Sequence, residues 1–128
     1  KTYEKISILD SDVHYGDSYI NEKWGISNIG NNVSFTFNEF NFKEGISGIV
    51  ICGKANKSSN TIRVQIIDQN GRKYLKNIEY EVTEDFVEKK FDLNNVFGLT
   101  TIEFIFLPVS NFDFKWFKFI KYDDNKGE

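Results

Sequence analysis

The stretch "TIRVQIIDQNGRKY", residues 61–74, sets Ile62, Val64 and Ile66 at alternate positions and follows them with "DQNGRK", residues 68–73. Apolar residues at period two lie on one side of a pleated chain, so the first half predicts a half-buried strand. The Asn70-Gly71 pair suits the positive backbone dihedrals of a tight hairpin turn, so the whole stretch predicts an antiparallel hairpin. The same alternation recurs on both sides of it. "VSFTF" (33–37) aligns Val33, Phe35 and Phe37, and "TIEFIFL" (101–107) aligns Ile102, Phe104 and Phe106, while "GIVIC" (48–52) is apolar throughout. Gly- and Asn-rich runs, "NIGNN", "KEGISG", "KANKSSN" and "LNNVFG", separate these segments at short intervals. Short strands with turns every eight to twelve residues are the pattern of an antiparallel β-sandwich.

One window reads two ways. In "VTEDFVEKKFDL" (82–93), Val82, Phe86 and Val87 could form a helical stripe, or Val87, Phe91 and Leu93 one side of a strand. The strand is favoured. Residues 1–122 form one domain, with no internal repeat or linker, and "DDNKGE" (123–128) is a polar tail.

At 128 residues the chain buries a sizeable core without metal or disulfide staples. A net charge of -3 argues against nucleic acid as a partner, because such binders concentrate Lys and Arg to displace counterions from phosphates. No apolar run approaches a membrane-spanning length, and Lys115, Lys118 and Lys121 among Trp116, Phe117 and Phe119 lie in strand context, so no membrane partner is expected. Cys52, the lone cysteine, reads as a small buried hydrophobe. The chain begins at Lys1 and contains no methionine, which reads as a mature or excised piece of a longer polypeptide and leaves the compartment open.

Catalysis finds no footing. A Ser-His-acid or Cys-His set must run through His14, the only histidine, and no motif surrounds it. "DSDVHYGDS" (10–18) gathers Asp10, Asp12, Asp17 and His14 but lacks the glycine and terminal glutamate of a helix-loop-helix calcium site, so it reads as an Asx-rich turn. No cofactor is expected, and calcium is disfavoured.

Aromatic residues are the informative surplus: thirteen Phe, six Tyr and two Trp exceed what such a core requires. They concentrate in "FLPVSNFDFKWFKF" (106–119), where Phe112 and Phe114 read as core of a closing strand and Trp116 with Phe117 breaks the alternation. A bulge or a strand buried on both faces would account for the break. Rings left outside would suit sugars, whose C–H faces lie on aromatic planes while Asn, Asp and Lys bond the hydroxyls.

"YGDSYI" (15–20), "IGNNVSFTF" (29–37), "GIVICGKANKSSNTIRVQI" (48–66) and "FLPVSNFDFKWFKF" together resemble the ancillary domain of some bacterial family 2 glycoside hydrolases of β-galactosidase type. That domain is similar in turn to family 6 carbohydrate-binding modules. The resemblance implies an all-β, antiparallel jelly-roll β-sandwich without catalytic residues. Its implied partners are carbohydrate, either a galactoside or a polysaccharide, and the catalytic domains of a parent hydrolase. That parent would be bacterial, cytoplasmic or secreted. A purely structural domain that binds no sugar is the alternative.

Carried over, the family 6 loop-end site falls on Ile26 with Trp24 beside it, on Phe86 and on Asp113. An aliphatic residue at the first position and an acid at the third depart from that family's pattern. Many family 6 modules also hold a structural calcium, and the matching closing-strand position is Lys115. The resemblance therefore implies an ion pair from Lys115 to Glu4 or Asp10 in place of the metal.

Overall fold

The computed structural model describes residues 2–123, so the expected polar tail, apart from Asp123, lies outside the described residues. Among the described residues there are nine strands: β1 (Ile6–Ser7), β2 (Val13–Tyr15), β3 (Ile20–Asn21), β4 (Ile26–Ile29), β5 (Val33–Ala55), β6 (Asn60–Asp68), β7 (Lys73–Tyr80), β8 (Val87–Phe106) and β9 (Phe112–Lys121). All strand pairings are antiparallel. The fold is the expected all-β sandwich, made as one sheet folded over itself. The long strands β5 and β8 run through both layers. Their first shared run, Val33↔Phe106 to Phe42↔Gly98, lies in a layer with β2, β6 and β7. Their second, Gly48↔Asp92 to Gly53↔Val87, lies in a layer with β9, β4, β3 and β1. Between the runs the register shifts around Ile46, close to Gly45 (φ 69°) and Gly98 (φ 93°).

The β6–β7 hairpin forms as predicted, with Ile62↔Ile78 and Ile66↔Tyr74 paired. Its turn differs in detail. Gly71 N–H donates to the Asp68 carbonyl at 3.0 Å, which makes Gln69 and Asn70 the central pair, and only Gly71 has positive φ (83°). This is a type I turn followed by a glycine bulge, and the Asp68 carboxylate stabilises it by accepting from Asn70 and Arg72 N–H, each at 2.9 Å. The ambiguous window is strand from Val87 onward, and Val87, Phe91 and Leu93 pack together against the core. "DSDVHYGDS" is not simply a turn. Val13–Tyr15 pairs with Thr36–Ser34, and Asp12 seals the start by accepting from Asn38 N–H at 2.8 Å. Three residues are too few for periodicity to announce a strand; the partner supplies it.

Ten of the thirteen phenylalanines are buried, so the core takes most of the aromatic surplus. Rings from the two layers interlock: Phe117 lies 4.9 Å from Phe37 and 4.8 Å from Phe104 between centroids, and Phe42 lies 4.9 Å from Phe119. Most of these contacts are edge to face or tilted, the geometry the ring quadrupole favours. Tyr80 is wholly buried with its hydroxyl 2.8 Å from the Val87 carbonyl, and burial pushes its phenol well up, so it stays neutral.

The broken alternation in β9 is a β-bulge. Cys52 pairs with Trp116 and the next residue, Gly53, with Phe114, so Lys115 is the extra residue. Phe112 and Phe114 point inward before it, Phe117 and Phe119 after it.

A second backbone departure lies in the Leu107–Ser110 turn, where the Ser110 hydroxyl donates to the Leu107 carbonyl. Pro108 takes the second position and Val109 the third, with φ 70° and 78% exposure. A β-branched side chain is poorly suited to this left-handed conformation, and Asn tolerates it. Val109→Asn is therefore expected to raise the unfolding free energy by about 0.5–1 kcal/mol, read as an increased urea midpoint. An unchanged or lower midpoint contradicts the strain.

Candidate functional site

The β3–β4 turn is held by the Glu22 N–H donating to the Gly25 carbonyl at 2.8 Å and by the Ser27 hydroxyl donating to the Glu22 carboxylate at 2.7 Å. Its tip carries Trp24 outward, 40% exposed. Gly25 lies flat on β9: a Cβ there would stand 2.2 Å from the Phe114 carbonyl oxygen. From the other side comes the loop before β8, tied to the end of β5 by the Ala55↔Val82 bridge and bearing half-buried Phe86. The Trp24 and Phe86 rings meet edge to face, 5.0 Å between centroids and 72° between planes. That separation leaves no slot for a sugar between them. The platform is the outer side of Trp24, with Phe86 bracing it. The Lys115 ammonium stands 4.3 Å and the Lys54 ammonium 5.8 Å from the Phe86 centroid.

Asp113 supports this corner from the closing strand. Its Oδ1 accepts from Asn28 N–H and from Asn56 Nδ2, each at 2.9 Å, and Lys54 Nζ lies 3.9 Å from its Oδ2. Asn28 has φ 53°, so the carboxylate also fixes a left-handed residue of β4. The network continues outward: Asn56 Nδ2 donates to Asn111 Oδ1 at 2.8 Å, and Asn111 N–H to Asn60 Oδ1 at 2.8 Å. Beyond Asn111 opens a cleft of about 340 Å³ lined also by Ser18, Asn31, Lys57 and Ser110. The exposed Trp24 ring and the amide- and hydroxyl-lined cleft are two separate surfaces, joined through Phe86, Lys54 and the Asp113 network; apolar C–H faces suit the first and sugar hydroxyls the second.

The site expected from sequence is thus only partly assembled. Trp24, Phe86 and Asp113 come to one corner, but Ile26 is 3% exposed and belongs to the core, because β4 turns that side chain in against the sandwich. Lys115 is the residue expected to pair with Glu4 or Asp10. The bulge directs its ammonium to Phe86, while Lys5 takes the face of Trp116 at 4.4 Å. Among the described residues Lys115 makes no ion pair with Asp10, which is exposed in a single turn of 3-10 helix, and Glu4 is exposed just before β1. Among the described residues no group of three or more His, Cys, Asp or Glu converges. His14 packs on Tyr19 at 5.7 Å, and Cys52 is buried with its thiol pushed up by desolvation.

A further surface escaped sequence reading. Tyr15 is 70% exposed on β2 and, with Asn32, Ser34, Glu103 and Ile105, lines a shallow cleft of about 320 Å³ on the open face of the first layer. The only signal was the aromatic in "VHY", masked by its Asx-rich surroundings.

No family model and no curated protein sequence matches the chain. Solved structures do. The module CsCBM6-3 from Clostridium stercorarium, in complex with cellobiose, superposes with a TM-score of 0.74 at 20% identity over 94% of this chain and 95% of its own. A family 6 carbohydrate-binding module from Clostridium cellulolyticum in complex with xylose gives 0.75 at 16% identity, over 94% and 98%. A family 43 arabinoxylan arabinofuranohydrolase from Bacillus subtilis, in complex with cellotetraose, gives 0.71 at 12% identity, over 94% of this chain and 28% of the hydrolase. With two layers, antiparallel pairing between all its named strands and near-complete superposition on these modules, the chain has the β-sandwich fold of family 6 carbohydrate-binding modules.

Proposed function

We propose that this chain is a noncatalytic carbohydrate-binding module, and that it serves a larger bacterial glycoside hydrolase of β-galactosidase type by holding glycan near the catalytic domains. The observation that carries the reading is the corner where exposed Trp24 is braced by Phe86, which Lys54 links to the Asp113 and Asn56 network. Similar folds bound to cellobiose and xylose support it, as does the one joined to an arabinofuranohydrolase. Binding is weak, since one ring face replaces a two-ring clamp, and its benefit is raised effective concentration at the substrate.

Trp24→Ala is expected to lower glycan affinity by about 1 kcal/mol or more, roughly fivefold, in calorimetric titration with galactosides and plant polysaccharides. Unchanged affinity in a folded variant rejects the corner as the site. We further propose that the module has lost the calcium site, with Lys115 at the matching position, so the melting temperature stays the same with calcium or with chelator. A chelator-induced drop contradicts it.

One observation favours a structural role instead. Phe97 is 54% exposed and meets Tyr122 edge to face at 5.4 Å, with Leu99 also exposed, at the end of the sandwich opposite Trp24. If that face seats a neighbouring domain and no sugar binds, deleting the module destabilises the parent enzyme yet leaves activity on small substrates per folded molecule constant.

A further inference from the structure

The corner around Phe86 is electrostatically unlike the rest of the chain. The whole carries a net charge of -3, yet two ammonium groups, those of Lys115 and Lys54, converge on one ring at 4.3 and 5.8 Å. Among the described residues the only carboxylate within ion-pair distance of either is Asp113, 3.9 Å from Lys54. That carboxylate is already bonded through Oδ1 to Asn28 N–H and Asn56 Nδ2. Glu84 and Asp85, on the loop that carries Phe86, are exposed and make no ion pair with either lysine. The immediate balance is therefore two cations against one committed anion.

Position adds to charge. The Lys115 ammonium lies on Phe86, the ring that braces Trp24, and the bulge that places Lys115 there is built into the closing strand. A neutral ligand must displace or ignore that cation. An anionic one uses it, keeping the cation–ring contact and adding a charge-assisted hydrogen bond.

We propose, building on the reading of this corner as a sugar site, that its ligand is an anionic glycan. A uronate or sulfate group is held by Lys115 and Lys54, while a pyranose ring rests on Trp24. The two sources of charge share one chemistry, an oxyanion on a sugar, and differ only in shape.

Calorimetric titration of the whole domain separates them. Galacturonate tetramer is compared with its methyl ester, and a sulfated carrageenan tetrasaccharide with its desulfated form. At least one acidic ligand is expected to bind about tenfold more tightly than its neutral counterpart, with the difference shrinking as salt rises from about 0.05 to 0.5 M. The uronate arm responding alone assigns a carboxylate, the sulfate arm alone a sulfate. Lys54→Gln with Lys115→Gln is expected to remove the acidic preference. Equal binding of acidic and neutral forms overturns the anionic assignment and leaves the sugar-site reading standing, and a preference that survives the double substitution overturns it too. Binding of no ligand in either form overturns both.

Discussion

Replacing Phe117 with alanine is expected to remove about 3–5 kcal/mol of unfolding free energy, the range for a large buried aromatic whose cavity cannot close. Phe117 is fully buried and touches Phe37, Phe40, Phe104, Phe114 and Phe119, with centroids 4.8 to 6.3 Å away. These neighbours come from both layers, so collapse around the void would have to move the layers together. Single domains are stable by only about 5–15 kcal/mol, so the loss is a large share of the total. Urea unfolding should show a much lower midpoint with an unchanged slope. Phe97→Ala, at an exposed ring, serves as the control and should shift stability by about 0.5 kcal/mol or less. A loss below about 1 kcal/mol at Phe117 would mean that the interlocked rings do not carry the sandwich.

Gly25→Ala is the second large effect, and it reaches both folding and binding. The added methyl would meet the Phe114 carbonyl oxygen at 2.2 Å and the Lys115 Cα at 3.0 Å, both backbone atoms that no rotamer change can move. The φ of 157° is itself rarely taken by residues with a side chain. Relief requires β4 and its turn to draw away from β9, which separates Trp24 from Phe86. The expected result is a destabilisation of about 2–4 kcal/mol together with loss of glycan binding in the fraction that still folds. Tryptophan fluorescence and calorimetry measure the two parts. A variant that melts normally and binds normally contradicts the close approach of the β3–β4 turn to the bulge.

The layers of the fold were legible because their signal is local. Val33, Phe35 and Phe37, and again Ile62, Val64 and Ile66, each bury on one side of a strand, and period two in the sequence states this directly. The β9 bulge was legible too, as a phase error between Phe114 and Phe117. The hairpin turn was half legible: Gly71 takes the left-handed conformation as its composition implies, but Asp68 captures the N–H groups of Asn70 and Arg72 and shifts the turn by one residue. Site residues were harder to place. Ile26 and Trp24 are two apart, and which of them meets solvent depends on how β4 and its turn dock on β9, a tertiary fact. The orientation of Lys115 is another such fact, because an unpaired bulge residue takes its direction from what surrounds it.

The continuity of β5 and β8 through both layers bears on how the chain acquires and loses its structure. A sandwich made from two separate sheets can open one layer while the other persists. Here the ladder from Val33↔Phe106 to Gly53↔Val87 crosses the fold, so melting either layer unzips strands that the other needs. Backbone amides of Phe35 and Ile51, one in each layer, should therefore exchange with solvent at a common, global rate. The same ladder closes residues distant along the chain before many of its contacts can form, which makes assembly slow, in the millisecond-to-second regime of non-local β-structure.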